Sequence, residues 1–568
     1  MAQKLRCALV AGASIIAATM LVACRVNRPA NQHAQSQTLY TATTSDPRTY
    51  NPIIVTDTAS GEAVRRLFEG LLDINPKTTL PEPELAERWE IAPDAKSITF
   101  HLRRDVKWFD GVPLTSRDVL FSLRVIYDPK IPNSIASSLM IDDKPLAADA
   151  IDDYTVRFKL ARPFAPLLYA VGFPIIPEHV LNEQYQNGRF NQTWGVDTAA
   201  DNMVGSGPYR LAQFVPSQSL QFLRYTNYWM KDEQGGQLPR LRSQTVLIVP
   251  DLNTAYLRFQ SGQIDVYSPR AKEVNDLREK AKQLDITVEE IGIDTGSMFF
   301  AFNRNPRHYL KNGVTDPKLK WFTDLKFMRA LAHSIDKTSM IDLAYYGLAE
   351  PAVAEISPAN KIFHNPNLKD YEFDPRLAAE LLEKAGYRLA KSGQRVDAQG
   401  NRIEFSLTTN TGNPEREQLC AIFKQDLEDL GIKVNYRPLE FTTLVEKLDS
   451  TFDWDVVLMG FTGTIEPNNG SNVLRSSGNL HLWDPRQPKP ATKWEADIDR
   501  LLEAGTAEME PHKRAKFYWR IQEILHEQLP LLETVRQIRY TAYKNSLQNY
   551  QPTVWGTYRQ ELMQFRSD

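Results

Sequence analysis

The chain has 568 residues, more than one hydrophobic core ordinarily serves, so two or three domains are expected. Its 67 basic and 70 acidic residues leave a net charge of −3, with no basic excess for binding nucleic acid. At 42% hydrophobic and 24% charged, the composition is that of a soluble globular protein.

Lys4 and Arg6 precede an uncharged run of small and apolar residues from Ala8 to Ala23. That run is short for a membrane span, which needs about 20 apolar residues, and suits the core of a signal peptide. It ends Leu21-Val22-Ala23-Cys24, which resembles a bacterial lipobox. Residues 1–23 are then expected to be removed and Cys24 to carry the acyl chains that hold the protein to a membrane. Arg25 follows, so the aspartate that retains some lipoproteins at the inner membrane is absent. Residues 24–37 are polar and read as a flexible tether. With Cys7 in the leader and Cys24 acylated, Cys420 is alone. Its neighbours Leu419 and Ile422 mark it as a thiol packed in an apolar helix face.

The fold begins near Leu39. Turn signals at Asp46-Pro47 and Asn51-Pro52 lead to a helix through Val64 and Leu67, closed by Phe68-Glu69-Gly70-Leu71-Leu72. The most informative stretch is Phe100 to Ser122. Ile98, Phe100 and Leu102 share one face of a strand and Thr99 and His101 the other. Asp110-Gly111 turns the chain, and Thr115 with Asp118 has the spacing of a capping box for a helix through Val119, Leu120 and Leu123. Tyr154 to Leu160 is another alternating strand. Further on, Phe299 to Asn303 reads as a buried strand, and helices are expected at 327–335, 374–386, 419–430 and 511–529.

The string WFDG, a PLT cap, then DVLFSL resembles the signature of the family 5 extracellular solute-binding proteins, the dipeptide- and oligopeptide-binding group of ABC importers. LPEPELAERW before it, Val204-Gly205-Ser206-Gly207-Pro208-Tyr209 and Tyr225 to Trp229 after it are similar to further family motifs in the same order. The resemblance implies an α/β, two-lobed periplasmic-binding-protein fold (type II, three-domain cluster C) with a hinge and a ligand cleft between lobes. It further implies domain I from 38–69, 174–271 and 532–568, domain II from 70–173 and domain III from 272–531. The function implied is capture of a solute, a peptide before a sugar, a nickel complex or another small solute, by a monomeric lipoprotein. ABC permease and ATPase subunits would be its partners, outside the cytoplasmic membrane.

No HExxH, GxSxG, P-loop or GxGxxG occurs, so no enzyme, cofactor or metal site is expected. In peptide-binding members, an aspartate after the strand "yD…GW" pairs with the peptide amine. Here Phe461 stands for the tryptophan and Thr464 for the aspartate. A buried ammonium needs an anion, which threonine does not supply. Glu466 stands two residues on, either reaching in or serving as a loop carboxylate. By the same resemblance Thr56, Asp57 and Thr58 face the ligand from domain I. Asp57 either supplies the missing charge, or the run caps the next helix through Ser60 or Thr58. The expected pocket is therefore Phe461, Thr462, Gly463 and Thr464 opposite Thr56, Asp57 and Thr58. A polar run, Asn468, Asn469, Asn472, Arg475, Ser476 and Ser477, follows it and suits sugars and peptide carbonyls alike.

Overall fold

The computed structural model describes residues 29–142, 144–311 and 313–566. Cys24 and the expected leader lie outside them. Where a tether is expected, Pro29–Ser36 forms a helix, because His33 is buried on Tyr40 and its Nδ1 lies 2.9 Å from the Asp265 carboxylate. Among the described residues no helix is long and apolar enough to cross a membrane.

Two sheets share one core. In the first, Thr38–Thr43 runs parallel to Ser243–Ile248, which continues antiparallel to Ser219–Arg224 and Tyr209–Val215. The second is antiparallel, ordered Ala86–Ile91, Ser97–Leu102, Thr155–Lys159, Ala147–Asp152. Alternation works here as the sequence pattern implies: Ile98, Phe100 and Leu102 are buried against Val156 and Phe158. The following helix, Ser116–Ile126, is fixed by Asp118, whose carboxylate accepts from the Thr115 backbone N–H at 2.8 Å. Phe100 and Phe158 from the second sheet and Tyr209 and Phe222 from the first belong to one continuous apolar cluster, so expected domains I and II form a single lobe.

The other lobe is built on a five-stranded mixed sheet, ordered Lys433–Tyr436, Glu404–Thr408, Val456–Phe461, Ser297–Phe302, Leu531–Glu533. Ser297–Phe302 is apolar on both faces: Phe300 and Phe302 pack into one cluster, Phe299 and Ala301 into another. Burial on both sides is why this strand reads as a continuous run rather than an alternation. Cys420 lies fully buried in the first of these clusters, and burial pushes its thiol pKa up.

The boundary at 272 moves. Ile286–Ile293 pairs with Val535–Lys544, and Leu277 and Ile286 pack with Phe259 and Ile264 of the first lobe. The chain therefore crosses to the second lobe at about Asp294 to Gly296. Val535–Lys544 itself spans both lobes, pairing with Ala349–Pro351 at its start and with Val266–Tyr267 near its end.

Candidate functional site

The chain passes between the two sheets of the first lobe twice, through Glu69 to Leu72 and back through Val171 to Ile175. Leu71 N–H donates to Val171 O at 3.0 Å and Ile175 N–H to Glu69 O at 2.9 Å. The passes touch so closely that a Cβ on Gly70 would lie 2.6 Å from the Gly172 carbonyl carbon. The VGSGPY loop crosses the end of the helix Thr58–Leu67 as tightly. A Cβ on Gly205 would lie 2.1 Å from Leu67 O, and Gly207 N–H donates to that oxygen at 2.9 Å. Close backbone approach explains both glycines.

These crossings floor a cavity of about 1080 Å³ between the lobes. The first lobe contributes Glu69, Asp73, Glu84 and Glu561, the second Asn468, Asn469, Ser471, Arg475 and Ser477. Arg162 closes one side. It pairs with Asp142 at 3.1 Å and donates to Thr506 Oγ1 across the cleft at 3.0 Å, while Ala165 N–H donates to Thr506 O at 2.9 Å.

Glu69 is only 5% exposed. Its Oε1 accepts from Tyr228 Oη at 2.6 Å and Trp229 Nε1 at 3.0 Å. Its Oε2 is buried and, among the described residues, accepts no hydrogen bond. Enclosure holds the Glu69 carboxyl up at about 7 against the pull of its donors, and nearby Glu561 adds to the rise. Glu84, which accepts from Gly70 N–H at 2.9 Å, is held well up by enclosure, then by Glu69 and Asp73. Glu561 is raised by enclosure and by Asp73.

The residues expected to form one pocket lie in separate places. Asp57 caps its helix, accepting from the Ser60 backbone N–H at 2.9 Å and the Ser60 hydroxyl at 2.7 Å, while Thr56 and Thr58 are exposed. None of the three lines the cavity. The far end of the same helix does, through Val64, Arg65 and Phe68, about 10 Å along at 1.5 Å per residue. Phe461, Thr462, Gly463 and Thr464 instead line a second cavity of about 90 Å³, walled by Phe299 and Trp555. Glu466 is buried and locked: Arg514 donates to both carboxylate oxygens, Nη1 to Oε2 at 2.6 Å, and Glu466 Oε1 takes Asn468 N–H at 2.9 Å. It caps the short turn Pro467–Gly470 that presents Asn468 and Asn469 to the cleft. The polar run past the pocket loop is thus the second lobe's wall. The acidic wall of Glu69, Glu84 and Glu561 was not anticipated, and nothing in the local pattern around FEGLL marks its glutamate as other than a helix-end residue.

Two α/β lobes, joined by crossing strands around an enclosed polar cleft, define a two-lobed binding protein. The chain belongs to the bacterial extracellular solute-binding proteins, family 5, whose middle-region model matches residues 81–481. It is 27% identical over 528 residues to a probable ABC transporter-binding protein of Deinococcus radiodurans, covering 89% of this chain and 87% of that one. It is 23% identical over 534 residues to the dipeptide-binding protein of Escherichia coli, covering 91% and 92%. In fold it is similar to AppA from Bacillus subtilis in complex with a nonapeptide, at a TM-score of 0.69 and 21% identity, covering 93% of this chain and 99% of that one. It is a solute-binding protein of the ABC-importer type.

Proposed function

We propose that the protein captures a peptide between its lobes and hands it, chemically unaltered, to a membrane permease and its ATPase. The enclosed cleft carries this reading. At about 1080 Å³ it is slightly larger than the usual small-ligand cavity, as a short peptide requires. Its far wall offers amide and hydroxyl groups, on Asn468, Asn469, Ser471 and Ser477, that suit peptide N–H and C=O groups. The smaller cavity at Phe461 to Thr464 adds an apolar recess for a side chain. The names of the relatives favour peptides over other solutes. A thermal-shift screen with peptide mixtures, oligosaccharides and nickel and iron complexes tests the reading. Peptides should raise the melting temperature, since a ligand that binds only the folded state stabilises it. A shift with sugars or metal complexes and none with peptides would replace it.

The protein works from the outer face of a membrane, held there by lipid on Cys24. Cys24→Ala should release it from membranes into the soluble fraction; a variant that still sediments with membranes would remove the anchor.

A further inference from the structure

We propose that the first-lobe wall of the cleft carries a cation subsite, built on Glu69 with Glu84 and Glu561, that seats the ammonium or guanidinium group of an organic ligand. It deepens the peptide reading and rests on it for where the solute lies.

The argument starts from an unused acceptor. Tyr228 and Trp229 both donate to Glu69 Oε1, so that side of the carboxylate is fixed. Oε2 is left buried with no hydrogen bond, on a residue that lines the cavity. The Ser206 hydroxyl, buried beside the carboxylate, pulls its pKa down but comes no closer to it than a long, weak contact. Buried carboxylate oxygens are ordinarily partnered, and an empty one beside a cavity marks the place of a missing donor.

The surroundings say which donor. Glu84 and Glu561 line the same cavity, with Asp73 at its exposed rim. Among the described residues, no lysine, arginine or histidine comes within ion-pair distance of any of the four, although Arg559 lowers the Asp73 and Glu561 carboxyls from further off. Arg475 lines the same cavity from the second lobe, and most cations nearer the carboxylates are committed elsewhere. Arg103 donates to the Glu84 backbone carbonyl at 2.7 Å and stacks over Trp229 at 4.2 Å. Arg162 pairs with Asp142, and Arg65 with Glu62. Arg559 packs over Tyr558. The raised pKa values of Glu69, Glu84 and Glu561 express the same imbalance, which a ligand cation would relieve. No group of three or more His, Cys, Asp or Glu among the described residues has the arrangement of a metal site. Phe68 and Leu72 beside the carboxylates supply an apolar wall for a methylene stem. An organic cation fits that combination. The charge missing at Thr464 is thus offered from the opposite lobe.

The cation has two sources in a peptide, the terminal amine and a basic side chain. Calorimetric titration of the full-length protein separates them. One probe pair is Ala-Ala-Ala against its N-acetyl form. The other is acetyl-Ala-Lys-Ala-amide against its norleucine analogue. Putrescine is the non-peptide probe. In at least one pair the cationic member should bind tenfold or more tighter, and Glu69→Gln should erase that preference while still accepting from Tyr228 and Trp229. Should that variant fail to fold, Glu561→Gln replaces it and should narrow the preference. A preference in the first pair assigns the subsite to the amine, in the second to a side chain. Glu69-dependent binding of putrescine without any peptide binding keeps the subsite and removes the peptide reading. Peptides that bind equally within both pairs, or a preference that survives Glu69→Gln and Glu561→Gln, overturn the subsite and leave the peptide reading standing. No heat with any probe overturns both.

Discussion

Two buried glutamates in this molecule have had opposite fates. Glu495, in the second lobe, has both oxygens filled. His481, Trp483 and Gln487 reach one, at 3.2, 3.1 and 2.9 Å, and Thr492 donates twice to the other, from backbone at 2.9 Å and hydroxyl at 2.8 Å. Burial alone would raise its pKa, but these donors overcome it and hold the carboxyl at about 2. Glu69 is enclosed more heavily still, has close donors on one oxygen only, and sits at about 7. Enclosure raises both carboxyls, and the full donor set of Glu495 outweighs that rise where the partial set of Glu69 does not. A completed set fixes structure, as Glu495 does by capping the helix Lys493–Ala507. An incomplete one beside a cavity leaves binding capacity unspent.

The completed kind should break hardest. Glu466 and Arg514 are almost fully buried together, and Arg514 also donates to Gly505 O at 2.6 Å. Arg514→Ala strands the Glu466 charge and should cost about 3–5 kcal/mol of stability, because breaking one side of a buried pair leaves the other unpaired. Urea denaturation at neutral pH measures it. A loss under about 1 kcal/mol would mean that water reaches Glu466, and that the pair belongs with the unfilled cleft carboxylates. The same change should weaken ligand binding, since Glu466 holds the turn that carries Asn468 and Asn469.

Local pattern carried the sequence reading a long way. The strand through Phe100, the Asp118 cap and the two-faced strand at Phe299 to Phe302 depend on residues within a few positions of one another, and they stand in the structure. The cleft depends on distant ones. Glu69 takes its character from Tyr228, Trp229 and Glu561, which come from other passes of the chain. The sequence pattern puts the crossing between lobes at 272 for the same reason. A helix followed by a strand looks alike in either lobe, and only the pairing of Ile286–Ile293 with Val535–Lys544 shows which sheet it joins. Of the two roles open to the Thr56 to Ser60 run, the hydrogen bonds favour the cap, but the capping residue is Asp57 and not Ser60 or Thr58, because Ser60 donates to the Asp57 carboxylate.

The two glutamates themselves give the sharpest test, because their stability curves should run in opposite directions. Glu495 is depressed in the folded state, so its stabilisation is present above the ordinary glutamate value of about 4.5 and is lost as pH falls toward about 2. Glu495→Gln should cost about 1–3 kcal/mol at pH 7, and much less near pH 3, where the wild type has surrendered most of the same interaction. Glu69 is raised in the folded state, so the unliganded wild type holds its advantage below about 4.5 and loses it as pH climbs toward about 7. Glu69→Gln cannot ionise and escapes that loss, although Tyr228 and Trp229 then donate to a neutral oxygen. At pH 4.5, where the wild-type carboxyl is neutral too, its net effect should be small, within about 1 kcal/mol, and by pH 8 it should be more stable than wild type by roughly 2–3 kcal/mol. Relative to wild type it should improve steadily from pH 4.5 to 8, while Glu495→Gln worsens from pH 2 to 4.5. Urea midpoints for the three proteins across that range decide the matter. If Glu69→Gln instead loses ground as pH rises, Glu69 is a completed structural carboxylate like Glu495, and the contrast between the two regions collapses.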